Sequence, residues 1–153
     1  MGFELNTPLD GVLLYPLATH TTAGGEVKHG LKSSDLGYVG FGEIYFSAVD
    51  RGAVRGWKRH RAMTLNLIVP VGAIRFVIYD DRAQSPTCSC FQQVTLSVSN
   101  YQRLTIPPML WVAFQGGEQN GGLLANIANI QHSPDETDHK ALVELDFCWA
   151  HDE

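Results

Sequence analysis

The chain lacks any long stretch with a sustained 3.6-residue apolar period, which leaves little room for an α-helical core. Cysteine is scarce: Cys88, Cys90 and Cys148 are the three in 153 residues. Three thiols make no disulfide framework, and Cys88-x-Cys90 would chelate a metal only with two further ligands beside it. A reduced cytosolic pair is the plainer reading. Long apolar runs are missing too, and none approaches the ~20 residues of a membrane span. The opening "MGFELNTPLD" has neither the basic nor the apolar part of a secretion signal. We therefore expect a cytoplasmic protein without membrane contact. Positive charge is also short. Eleven Lys and Arg against sixteen Asp and Glu leave a net charge of −5. That balance argues against a nucleic-acid partner, although it leaves room for a local basic pocket.

Common catalytic signatures are absent as well. There is no G-x-S-x-G, and neither "AGGEVKHG" nor "QGGEQNGG" has the spacing of a phosphate-cradling loop. Both read as turns. The metal pattern of a double-stranded β-helix barrel needs His-x-His, a Glu four or five residues on, and a later His. "VRGWKRHRAM", residues 54–63, offers Lys58-x-His60, followed by Thr64 and Leu65. Lysine has no free lone pair at neutral pH. We expect no metal and no cofactor.

What the chain does have is regular punctuation. Short runs rich in β-branched and aromatic residues alternate with clusters of Gly, Pro, Asn and Asp. "GVLLYPLA", "GEIYFSAV", "RGAVRGWKRH", "TLNLIVPVG", "AIRFVIYDD", "FQQVTLSVS", "QRLTIPP", "LWVAFQG" and "GLLANIANI" read as strands. "ALVELDFCW" is a candidate last strand, and "SSDLGYV" has room for one helical turn. The polar stretch "HTTAGGEVKHGLKSSD" reads as a loop. With 44% apolar and 18% charged residues, this is a single globular all-β domain, a sandwich or barrel of eight to ten strands.

Strand periodicity puts Lys58 and His60 on one face. His60 and His132 each sit where an apolar strand meets polar residues, so each is a candidate to look into a cavity. The other histidines read as surface residues. Trp57 and Trp111 read as packing rather than as substrate platforms.

Four stretches, taken in order, carry a family resemblance. "AVRGWKRH" is similar to a hydrophobic-R-G-hydrophobic-H-x-Q strand. "VPVGAIRFVIYDDRAQSPT" is similar to G-x-V-x-D-V-x-V-D-x-R-x-x-S-P-T. "VTLSVSNYQRLTIPPMLWVAFQG" is similar to L-S-x-x-N-x-x-x-L-x-I-P-x-G-x-A-H-G-F, and "LLANIANIQHSPDE" to Y-x5-Y-x-P-x-x-E. Together they resemble the dTDP-4-dehydrorhamnose 3,5-epimerase-like sugar-nucleotide epimerases. The resemblance implies a cupin, or double-stranded β-helix jelly roll, with residues 42–150 as the core barrel and 1–41 as N-terminal strands and loop. It also implies a homodimer and a nucleoside-diphosphate sugar as ligand.

The resemblance also shows where this chain departs. The family's base histidine falls on Lys58, its acid tyrosine on Asn126, its second tyrosine on His132, and a further histidine on Val112. Two ligand-holding positions fall on Glu43 and Tyr45, while the phosphate-contacting arginine is kept as Arg55. Epimerisation beside a ketone needs a base on one face and a proton donor on the other. Asparagine cannot donate such a proton. His60 is then the candidate base and His132 the candidate acid. Lys58 would act as a base of lowered pKa, hold a negative charge near the sugar, stabilise an enolate, or merely neutralise Glu43. Glu144 and Asp146 are candidate carboxylates for the base.

The expected function is that of a divergent epimerase or isomerase acting on a nucleoside-diphosphate 4-keto-6-deoxy sugar in surface-polysaccharide (O-antigen type) biosynthesis. The alternative is an inactive cupin that binds a sugar nucleotide or scaffolds a pathway complex. Strict alternation sets Arg55 opposite Lys58, so both reach one pocket only if Gly56 carries a bulge.

Overall fold

The computed structural model describes the backbone of residues 3–4 and all of residues 7–150; His151 lies outside the described residues. Among the described residues, twelve strands and two short 3-10 turns make up the regular structure. The strands are β1 (Phe3–Glu4), β2 (Leu13–Pro16), β3 (Thr19–Thr22), β4 (Gly25–Lys28), β5 (Glu43–Val49) and β6 (Val54–His60), followed by β7 (Leu65–Asp80), β8 (Cys90–Ser97), β9 (Gln102–Ile106), β10 (Trp111–Gly116), β11 (Gly122–Ala128) and β12 (Thr137–His139).

Two sheets face each other and share β7. The first runs β1-β8-β7-β10-β6-β12, and the second joins β2, β9, β7, β11 and β5. A double-stranded β-helix jelly roll is built this way.

The reading of "TLNLIVPVG" and "AIRFVIYDD" as two strands needs correcting. They form one 16-residue strand, β7. Its first half pairs β9 and β11, and its second half pairs β8 and β10. The strand changes sheets near Pro70–Gly72. Gly72 has φ +75°, and a Cβ there would lie 2.2 Å from the Gly121 carbonyl oxygen. Only glycine fits this corner. The turn signal in the sequence marked a bend inside a strand, not its end.

Two further expectations fail. "SSDLGYV" forms turns rather than a helical turn, and "ALVELDFCW" holds a 3-10 turn (Leu142–Glu144) followed by unpaired chain. The last strand is instead β12, which pairs β6 on the side away from β10. The polar stretch after Ala18 contains the β3–β4 hairpin. Arg103, fully buried, ties the following loop to the second sheet by donating to the carbonyls of Gly30 and Leu36 and to Asp35.

Alternation along the strands makes two cores. Ile74, Phe76 and Ile78 point between the sheets, where they meet Leu67, Val69, Leu96, Leu104 and Ile106. Val77 points the other way and joins Trp57, Phe91, Trp111 and Ala113 on the outer face of the first sheet. Leu142, Leu145, Phe147 and Trp149 of the C-terminal segment cover that face. Each such apolar side chain contributes roughly 1.5–3 kcal/mol when fully buried. Trp57 and Trp111 are 1% and 3% exposed, which fits their reading as packing residues.

Candidate functional site

The interior is not filled along its whole length. Toward β5, β6 and β11 it opens into a cavity of about 390 Å³. One wall comes from β6 and β10 of the first sheet, and the opposite wall from β5, β11 and the first half of β7. Leu65, Leu67, Val112, Phe114 and Leu124 make its floor apolar. The polar groups stand on that background.

On the first wall, β6 carries Arg55, Lys58 and His60 into the cavity. Its pairing with β10 explains how. Lys58 faces Val112 and Arg55 faces Phe114, so three steps on β6 oppose two on β10. This is the bulge expected at Gly56, and it restores Arg55 to the face of Lys58. Gly56 itself lines the cavity. Trp57 and Arg59 take the opposite face, where the Arg59 guanidinium lies 4.6 Å from the Trp111 ring centroid. Two cations on the inner wall of a chain with net charge −5 make a local anion-attracting surface.

His60 is 6% exposed, and its Nδ1 donates to Glu136 Oε1. The other oxygen, Oε2, accepts from the backbone N–H groups of Ala62 (3.1 Å) and Met63 (3.2 Å). A carboxylate only accepts, so Nδ1 carries the ring proton and Nε2 keeps its lone pair. Burial lowers the pKa of His60, and the Lys58 and His132 charges act the same way. The bond to Glu136 opposes them without cancelling them. The ring is therefore neutral at pH 7 and competent as a base. Burial pushes the Glu136 carboxyl up, but the His60 ring and the two N–H groups hold it below its ordinary value.

The partner of the candidate base is thus Glu136, which replaces Glu144 and Asp146 in that role. Glu144 accepts from the N–H of Ala141 on its own turn. Glu136 ends "LLANIANIQHSPDE", the last of the four stretches that carry the resemblance, but nothing in the sequence singled it out. Its tie to His60 needed the path of the 3-10 turn Pro134–Glu136, which leads into β12 beside β6.

On the second wall, Asn126 of β11 and Tyr45 of β5 are register partners, and both line the cavity. Asn126 is 2% exposed; its Nδ2 donates to the Tyr45 hydroxyl at 2.8 Å, and its Oδ1 has no hydrogen-bond partner. Burial raises the pKa of Tyr45, the Asn126 bond lowers it, and the charges of Glu43 and Glu136 raise it again.

The structure does not gather every residue singled out from the sequence. His132 is exposed and lies outside the cavity lining, on the chain after β11. Its backbone N–H donates to Glu43 Oε1 at 2.6 Å. Glu43 is likewise outside the lining, and its carboxylate anchors that chain. The resemblance had put both near the ligand, but β11 ends before His132. His139 is exposed, as read from the sequence, and also lines the cavity from β12, where it faces Lys58. Among the described residues no three His, Cys, Asp or Glu side chains are grouped to hold a metal.

The fold is shared with known proteins. A dTDP sugar isomerase from Desulfovibrio desulfuricans G20 is 38% identical, with a TM-score of 0.88 over 95% of this chain and 94% of that one. The chain belongs to the dTDP-4-dehydrorhamnose 3,5-epimerase-like family of cupin sugar-nucleotide epimerases and isomerases. A family member from Elizabethkingia anophelis, a dTDP-4-dehydrorhamnose 3,5-epimerase, has the same fold at 14% identity, with a TM-score of 0.80 over 97% of this chain and 86% of that one. The "Probable low-salt glycan biosynthesis epimerase Agl13" of Haloferax volcanii is 29% identical over 99 residues. That match covers 64% of this chain and 64% of the length of that relative. No protein-family profile matches the chain.

Proposed function

We propose that this protein is a divergent epimerase or isomerase of a nucleoside-diphosphate 4-keto-6-deoxy sugar, acting in surface-polysaccharide (O-antigen type) biosynthesis. One observation carries the reading: a neutral, buried His60, oriented by Glu136, faces a sugar-sized cavity beside two cations. A C–H next to a ketone is acidified by the carbonyl, so a positioned imidazole can remove its proton. In this reading His60 Nε2 takes the proton. Lys58 stabilises the enolate oxygen that develops, and Arg55 holds a phosphate of the nucleotide. The 38% identical relative is a dTDP sugar isomerase and the Haloferax relative a glycan biosynthesis epimerase, which supports the substrate class.

The reading includes a homodimer. Strand β5 pairs only with β11 among the described residues, so it is an edge. Ile44 and Phe46 are 47% and 62% exposed along it, and Phe41, just before it, is 62% exposed. An apolar edge strand on a stable protein calls for cover, and a second copy would supply it. A monomer in sedimentation at micromolar concentration would remove this part of the reading.

The test of function uses D2O. The protein is incubated with dTDP- and CDP-4-keto-6-deoxyglucose, and deuterium at C3 and C5 is followed by NMR. Exchange at either carbon is expected. Binding of both nucleotides with no exchange would favour an inactive sugar-nucleotide-binding cupin instead.

A further inference from the structure

The resemblance leaves the proton donor unassigned, because the family's acid tyrosine falls on Asn126. Yet the geometry puts a tyrosine hydroxyl beside that residue. Tyr45 stands directly across the β5–β11 ladder from Asn126, on the same inward face, and its oxygen accepts the Asn126 amide N–H at 2.8 Å. A strand-to-strand exchange thus keeps a phenol at the cavity while moving its backbone attachment from β11 to β5.

Resting on the proposed epimerase or isomerase reading, we propose that Tyr45 is the proton donor of the reaction and that Asn126 is its positioning residue. Three observations support it. First, Tyr45 and His60 come from opposite sheets and line opposite walls of one cavity. A substrate ring between them presents one face to each, which inversion at carbon requires. Second, the Asn126 amide donates to the phenol oxygen rather than accepting from it, so the hydroxyl proton stays free for a substrate. Third, Asn126 is buried and its short side-chain hydrogen bond goes to Tyr45, with only a long 3.9 Å contact from the same Nδ2 to the Met63 sulfur beside it. Burial also keeps the phenol protonated, as a donor must be. His132 is exposed and outside the lining, so it does not compete for the role.

The step balances. His60 Nε2 takes the proton from the carbon beside the ketone, and the C–H electron pair forms the enolate. The Tyr45 proton is then delivered to that carbon from the other face. The enolate electrons return to the new C–H bond as the ketone re-forms. Imidazolium and phenolate remain, and both reset by proton exchange with water.

Tyr45→Phe and Asn126→Asp separate donor from scaffold. Each variant is incubated in D2O with dTDP- and CDP-4-keto-6-deoxyglucose, and two signals are read: C–H exchange and appearance of the inverted sugar. Removal and return of a proton by His60 on its own face gives exchange without inversion. In Tyr45→Phe, exchange should stay within about threefold of wild type, while inverted product falls about 100-fold or more. In Asn126→Asp the new carboxylate accepts the Tyr45 proton, so inverted product should fall at least about tenfold with exchange retained. Inverted product from Tyr45→Phe at the wild-type rate would overturn the proposal. Equal loss of exchange and inversion would also overturn it, by making Tyr45 a binding or folding residue. If wild type itself exchanges neither substrate, the underlying reading fails, and this proposal with it.

Discussion

Two hydrogen-bonded carboxylates, the buried Asp80 and the half-buried Glu136, show how the same chemistry serves two ends. Asp80 closes β7 and is fully buried. Its Oδ1 accepts from the Arg82 backbone N–H and Nε, and its Oδ2 from Arg82 Nη2, Ser85 Oγ and Thr87 Oγ1. Every acceptor site is filled, by a permanent cation and two hydroxyls. Glu136 is also filled, by two backbone N–H groups and His60. The difference lies in the last partner. Arginine has no second state, whereas the imidazole has another nitrogen that can take a proton. The knot at Asp80 is closed and contributes stability. The pair at Glu136 is held just as firmly but leaves an outlet into the cavity.

That contrast can be broken from either side. The largest expected effect is on stability. Asp80→Asn leaves Arg82 without its charge partner and should cost about 3 kcal/mol in chemical denaturation. Activity per folded molecule should not change. Burial alone would raise the Asp80 pKa, but Arg82, Ser85 and Thr87 together hold it well below the carboxylate range. A depressed carboxylate contributes stability above its unfolded pKa and loses it as the pH falls through the folded value. The variant should therefore show a shallower loss of stability below about pH 4.

Glu136→Gln should act the other way. The amide can donate to Nδ1 and move the ring proton to Nε2, where it blocks the base. Exchange of the substrate C–H should fall about 100-fold, with a smaller loss of stability. Next in size is Arg55→Ala. With one of the two cavity cations removed, nucleotide affinity by calorimetry should weaken about tenfold, and more at low salt than at high.

The smallest effect is in the pH profile. His60 must be neutral to act, and its pKa lies below the ordinary imidazole value. The acid limb of kcat/KM should therefore fall below pH ~6.5. A limb at or above the ordinary value would mean that the ring is more exposed than its burial implies.

Much of the fold was legible because it rests on local signals. Alternating apolar residues and regular turn residues gave the strands, and the jelly roll came from the family resemblance of four ordered stretches. The bulge at Gly56 followed from a conflict between periodicity and the placement of Arg55. The errors share one cause. Pro70 and Gly72 signal a turn in isolation, and only the shared strand of two sheets makes them a corner. "ALVELDFCW" has strand composition, but its aromatic residues cover the Trp57–Trp111 face without pairing.

The site was legible by residue and not by arrangement. Lys58 and His60 are two apart on one strand, so their common face needed no fold. Glu136 is 76 residues from His60, and Tyr45 is 81 from Asn126. Pairs so distant meet only through β12 beside β6 and β11 beside β5. His132 and Glu43 were placed by alignment to positions that this chain uses to anchor its own backbone.

The proposed reaction rests on His60, oriented by Glu136, as the base. The most direct measurement compares wild type and His60→Ala in D2O with the 4-keto substrate that wild type exchanges, at matched circular dichroism. The account predicts that wild type washes deuterium into the carbon beside the ketone and that the variant loses at least about 100-fold of that rate. Exchange by His60→Ala at the wild-type rate would contradict it.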